Sequence, residues 1–171
     1  VAELETAGIY INDRPGITVE GMYSESARLI AQGHRLSLCA IDYFGLIADN
    51  GGSPNQTERE EIVSGKLQRM FRELDVHGLV IDTYNKAGFN AGTGRMGNIT
   101  GAARKSYDAD NVITLTLGDA LPKAGQLVHA DVVKVRDGEI SQRRVSLIRE
   151  VGRPRYRSLS ENEARNLPGV E

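Results

Sequence analysis

The 171-residue sequence has no tryptophan and a single cysteine, and nowhere does it string together the roughly 18 apolar residues that cross a bilayer. Each absence narrows the field. A lone thiol closes no disulfide, so Cys39, set within an apolar run, reads as a structural thiol in a reducing compartment. The N-terminus lacks a charged region followed by an apolar one. Neither a membrane span nor a signal peptide is expected, and the location that follows is cytoplasmic. Excess charge of one sign is missing too: 21 Lys and Arg against 23 Asp and Glu leave a net charge of −2. Any nucleic-acid contact therefore has to come from a local basic surface. No Gly-x-x-x-x-Gly-Lys-Ser/Thr run occurs, so the sequence carries no phosphate-binding loop. His34, His77 and His129 stand at element boundaries without ligand or triad spacing and read as structural or surface residues.

What is present suffices for one substantial core, at 40% hydrophobic and 26% charged residues. The chain alternates between two hydrophobic periods. Ile9 to Asn12 reads as a short strand, and Asp13-Arg14-Pro15-Gly16 as the turn after it. Thr18 is placed to cap a helix whose apolar residues Val19, Met22, Tyr23, Ala27 and Ile30 recur at helical spacing until Gly33 stops it. Leu36 to Tyr43 is nearly continuously apolar, as expected of a strand covered on both faces at a sheet's centre.

Asp49 to Asn55 cannot hold regular structure, and Thr57-Glu58-Arg59-Glu60 spells a capping box for a long helix. Ile62, Val63, Leu67, Met70, Phe71 and Leu74 form that helix's apolar stripe. Leu79 to Thr83 is the next strand, and Tyr84 to Gly101, with five glycines, reads as a long mobile loop. Asn111 to Leu117, Ala130 to Arg136 and Arg144 to Glu150 supply three more strands, the last two joined as a hairpin around Asp137-Gly138. The stretch from Gly152 is basic, then polar and helix-prone. The pattern predicts an α/β domain: a mostly parallel sheet flanked by helices, with a C-terminal antiparallel hairpin extension.

Four features could carry chemistry. Asp42 ends a strand at its carboxyl end, where open α/β sheets bind ligands and where one acid suffices for a hydrated Mg²⁺; its bland counterpart is an Asp bonding a turn. Gly92-Thr93-Gly94-Arg95-Met96-Gly97 spells a dinucleotide fingerprint, but no strand leads directly into it and no helix directly out, so that reading is rejected. Lys86, Arg95, Arg104 and Lys105 punctuate the glycine-rich stretch, with Asn85, Asn90 and Asn98 as polar donors. Cations beside freed backbone amides suit a phosphate chain, although a solvated surface loop has the same composition. Lys134 and Arg136 stand two apart on one strand and share a face, which suits either a terminal phosphate or the charged edge of a sheet.

Ala40-Ile41-Asp42-Tyr43 followed by Phe44-Gly45-Leu46-Ile47, then Asn55-Gln56-Thr57-Glu58 leading into Leu67 to Leu74, resembles the middle of the DnaB-type replicative DNA helicases. Further matches follow the family's order. They are Ile9 to Asp13 with Pro15-Gly16, Tyr107-Asp108-Ala109-Asp110, Lys134-Val135-Arg136-Asp137-Gly138, and Val145 to Glu150, so the likeness runs over about residues 9 to 150.

The resemblance implies a RecA-like motor domain over residues 1–158 with a polar C-terminal tail at 159–171, in a chain that is the C-terminal part of a longer helicase. It implies ATP and Mg²⁺ as cofactors, and single-stranded DNA and identical subunits in a hexameric ring as partners. By the same resemblance Asp42 holds Mg²⁺ through water, Thr83 stands where the family carries a glutamine facing the γ-phosphate, and Lys134 and Arg136 reach the γ-phosphate of the adjacent subunit. Lys86, Arg95, Asn98, Thr100, Gly101 and Arg104 fall in the segment that grips single-stranded DNA. Without a phosphate loop the chain is expected not to hydrolyse ATP alone. The alternative is a degenerate RecA-fold module that binds nucleic acid or assembles without ATPase activity.

Overall fold

In the computed structural model, which describes residues 7–49, 55–83, 105, 107–121, 125–138 and 144–166, the chain divides into two compact units, Val1–Asp82 and Thr83–Glu171. The first unit starts with helix α1, Val19–Ala31, whose N-cap is Thr18: its hydroxyl oxygen accepts from the Gly21 N–H at 3.1 Å, as the sequence predicts. Gly33, at φ +90°, ends the turn that follows. Strand β1, Leu38–Ile41, leads to a single 3₁₀ turn at Phe44–Leu46, then to helix α2, Gln56–Leu74, and strand β2, His77–Val80. β1 and β2 pair in parallel, Leu38 opposite His77 and Ile41 opposite Val80.

Val19, Ile41, Phe44, Ile47, Val63, Leu67 and Met70 form this unit's core, with Met22, Cys39, Phe71 and Leu74 packed around it. Burying a side chain of this size contributes about 1.5–3 kcal/mol, against about 1 kcal/mol for a helix cap. The core therefore decides the unit's stability and the caps set its register. Cys39 is a half-buried free thiol whose pKa burial pushes up, in keeping with a structural role.

Several expectations need correction. Ile9 to Asn12 is not a strand: it joins no ladder among the described residues, and the Tyr10 hydroxyl instead shares a 2.8 Å hydrogen bond with His34 Nδ1. β1 is not covered on both faces. Cys39 and Ile41 turn toward the helices, while Leu38, on the opposite face, stays 56% exposed. The cap of α2 is Asn55, whose side-chain oxygen accepts from the Thr57 N–H at 3.0 Å, and Thr57 is already inside the helix. Ile62, expected in the buried stripe, is exposed. β2 begins two residues earlier than the sequence indicates.

The second unit is a four-stranded antiparallel sheet ordered β3-β4-β5-β6: Asn111–Leu121, Gly125–Val135, Arg144–Glu150 and Tyr156–Ser158. A short helix α3, Glu161–Asn166, follows. The antiparallel pairing of β4 with β5 agrees with the hairpin expectation, but β3 and β6 join the same sheet. Among the described residues the only parallel pair of strands is thus β1 with β2, and the mostly parallel sheet is not what they show. Alternation predicted where strands would lie; it carries no information on the direction of pairing, which is a long-range property. No helix among the described residues is long and apolar enough to cross a membrane.

Candidate functional site

Asp42 directly follows β1 and is exposed at the strand's carboxyl end. The adjacent backbone is held by two ladder-like bonds, Ile81 N–H to the Ile41 carbonyl at 3.0 Å and Phe44 N–H to the Ile81 carbonyl at 2.8 Å. The peptide between Asp42 and Tyr43 is cis. These bonds bring the end of β2 beside Asp42, so Asp82, a second acid, closes the neighbouring strand one residue beyond Ile81. The sequence pattern did not single out Asp82, although an acid at the end of an apolar strand was the same signal that marked Asp42.

Mg²⁺ keeps several waters and takes one or two protein carboxylates, so an exposed strand-end acid suits it through water. No group of three or more His, Cys, Asp or Glu suited to a metal ion occurs among the described residues. The exposed Asp42 carboxylate fits an ion held through water. Thr83, exposed, follows Asp82 directly.

Lys134 and Arg136 lie in the second unit at the end of β4, beyond the stretch that pairs with β5, so that among the described residues β3 alone pairs with that end. Their position therefore suits the sheet-edge alternative as well. Both side chains reach the same short segment, as the two-residue spacing predicts. Lys134 Nζ donates to the carbonyls of Tyr107 at 3.0 Å and Ala109 at 2.7 Å. Arg136 Nη2 donates to the carbonyls of Tyr107 at 2.9 Å and Asp108 at 3.4 Å, and Nη1 pairs with the Asp110 carboxylate at 2.5 Å. The Arg136 N–H also donates to the Asp110 carbonyl at 2.8 Å.

The Ala109 N–H closes a helical turn on the Lys105 carbonyl at 3.1 Å, so the clasped carbonyls belong to a helix's C-terminal end. Carbonyls there have no partner within the helix and carry partial negative charge, so the two cations supply donors to them, Tyr107 receiving one from each. Lys86, Arg95, Asn98, Thr100, Gly101 and Arg104 lie outside the described residues.

The described residues thus hold an exposed acid at a parallel strand's end in the first unit and, in the second, a cation pair at the end of β4 that clasps a helix end. The family model for the DnaB-like helicase C terminal domain matches residues 1–153. The chain belongs to the DnaB-like helicase C-terminal domain family.

Among curated relatives of this DnaB-like domain, the replicative DNA helicase DnaB of Geobacillus stearothermophilus is 28% identical over 156 residues, which cover 88% of this chain and 34% of that protein. DnaB of Nostoc sp. (strain PCC 7120) is 30% identical over 120 residues, or 69% of this chain and 13% of that protein. The chain thus spans about a third of the length of the first of these.

Two solved structures share the fold. One is a DnaB-like replicative helicase described with its interactions with primase, at TM-score 0.78 and 21% identity, covering 93% of this chain and 39% of that one. The other is described as an ATPase domain, at TM-score 0.78 and 20% identity, covering 93% of this chain and 57% of that one. At these identities the likeness speaks for the fold, a RecA-like one, and the match to residues 1–153 speaks for the family.

Proposed function

We propose that this chain serves in an ATP-driven replicative helicase whose identical subunits, six to a ring, couple hydrolysis at their interfaces to movement along single-stranded DNA. The observation that carries the reading is the position of the two charged sets. Asp42 ends a parallel strand and is exposed to solvent, and Lys134 and Arg136 are presented together from the end of β4, where both meet the Tyr107 carbonyl.

In this reading Asp42 holds Mg²⁺ through a water, while Thr83 lies near the γ-phosphate end of the same nucleotide. Lys134 and Arg136 face the nucleotide of the adjacent subunit. ATP with Mg²⁺ supplies the transferable phosphoryl group. The guanidinium neutralises charge that spreads over that group as it transfers, which makes turnover depend on subunit contact. The segment with Lys86, Arg95, Asn98, Thr100, Gly101 and Arg104 grips the DNA backbone by charge and amides, independent of the net charge of −2. The amide cradle for the phosphates has no counterpart in the sequence and must come from polypeptide other than these 171 residues. Residues 1–158 act as the motor part and 159–171 as an appended tail.

The test is ATP hydrolysis by the gene product that carries this chain. Asp42→Asn and Arg136→Ala should each abolish most of it, the arginine change by about 10³-fold or more, as for other arginines supplied to a phosphoryl in trans. Wild-type turnover in both variants defeats the assignment. A second reading, a RecA-fold module that assembles or binds nucleic acid without hydrolysis, draws on the missing phosphate loop. A gene product with no turnover that still binds single-stranded DNA decides for it.

A further inference from the structure

Arg136 is anchored more firmly than a residue waiting for a partner needs to be. One guanidinium nitrogen meets the Asp110 carboxylate at 2.5 Å, the other meets the carbonyl of Tyr107 at 2.9 Å, and its own N–H is tied to the Asp110 carbonyl. A guanidinium has five N–H donors in one rigid plane. The Asp110 carboxylate and the carbonyls of Tyr107 and Asp108 engage at most three of them. The plane is thus fixed by its acceptors while donors remain for a second anion, and the side chain is still 36% exposed.

Lys134 grips the same turn through Tyr107 and Ala109. The cations, the turn and β4 form one mechanical piece: Asp110 and Arg136 are far apart in the sequence, yet both backbone and side chain join them.

We propose that Asp110 is a positioning residue for Arg136, a carboxylate that aims the guanidinium at the neighbouring subunit's phosphoryl group without itself touching the nucleotide. This rests on the helicase reading above, because it assigns a task to the arginine that reading places at the subunit interface. The physical argument is one of preorganisation. An exposed arginine with a long, freely rotating side chain loses much of its rotamer freedom on meeting a phosphate, whereas one already held by a carboxylate and carbonyls has lost it on folding. The pair gives little stability at this exposure, so its value lies in aim.

The experiment is a steady-state ATPase comparison in the gene product that carries this chain. Asp110→Asn keeps the shape and removes the charge. It should lower kcat about 10- to 100-fold with KM changed less than about two-fold, the pattern of an interaction made in the transition state. Asp110→Glu, which keeps the anion on a longer arm, should fall between wild type and Asp110→Asn. Asp131→Asn, which breaks the exposed Arg144 pair elsewhere in the same sheet, should leave kcat unchanged.

The decisive arm is the double variant. In the Arg136→Ala background Asp110→Asn should cost nothing further in residual turnover, whereas a merely structural role would lower it again. If Asp110→Asn keeps wild-type kcat while Arg136→Ala loses it, or if the two losses multiply, the inference fails and the helicase reading stands. If Arg136→Ala itself turns over normally, or if the wild type does not turn over, the helicase reading fails and this inference falls with it.

Discussion

A glycine in this chain is either indispensable or replaceable, and local sequence does not say which. Gly125 opens β4 at φ +139°, and a Cβ there would sit on the Arg149 carbonyl oxygen across the ladder. Gly65, inside α2, has nothing within 4 Å of where its Cβ would be. Gly125→Ala should therefore destabilise the protein by roughly 2–4 kcal/mol, strain and clash together, while Gly65→Ala should stabilise it by about 0.5–1 kcal/mol through helix propensity. Denaturant midpoints of the two variants check both signs. At the same scale the cation pair was half legible. The spacing of Lys134 and Arg136 predicts a shared face, and both do reach Tyr107. The acceptors they meet there were not legible, because a backbone carbonyl has no sequence signature.

Among the elements, two segments spell the same capping box and only one forms it. At the start of α3 the Ser160 N–H donates to Glu163 Oε2 at 2.8 Å and the Glu163 N–H donates back to Ser160 Oγ at 3.4 Å. Thr57 and Glu60 have the same spacing, yet Asn55 takes the cap two residues earlier, and Glu60 accepts from Gln56 Nε2 at 2.9 Å.

Glu163 also meets Arg157 twice, at 2.7 and 2.8 Å. The Arg157 guanidinium, then the Ser160 N–H and hydroxyl, hold its carboxyl well below the usual carboxylate range. A carboxylate depressed on folding contributes stability that is full above its unfolded value near 4.5 and is lost as pH falls below it. Acidification from about pH 5 downward should fray α3, read as faster amide exchange at residues 161–166, and Glu163→Gln should fray it at neutral pH and flatten that dependence. Pattern reasoning fared best on α1, on β5 and on the end of α2 at Leu74, where local periodicity and tertiary packing agree. It fared worst on Ile9 to Asn12, since a strand is defined by a neighbour and not by its own alternation.

At the scale of the whole molecule, the proposed function depends on charges that the net balance hides. If the segment with Lys86 and Arg95 grips DNA, replacing both with Ala in the gene product should weaken single-strand binding. Its salt dependence should flatten by about 0.7 slope units for every phosphate the protein no longer neutralises. Titrations at several salt concentrations check this, and an unchanged slope removes the segment from the DNA site.

The linear order of residues was enough to mark the helices, the apolar strands, the chemically able side chains and the family likeness, because periodicity and motif order are carried within short windows. Strand direction, the open face of β1 and the grip of Lys134 and Arg136 on a turn 27 and 29 positions away were decided only by folding. Which groups meet across such distances depends on ladder register, and a slip of one residue would turn both cations to the other face of the sheet.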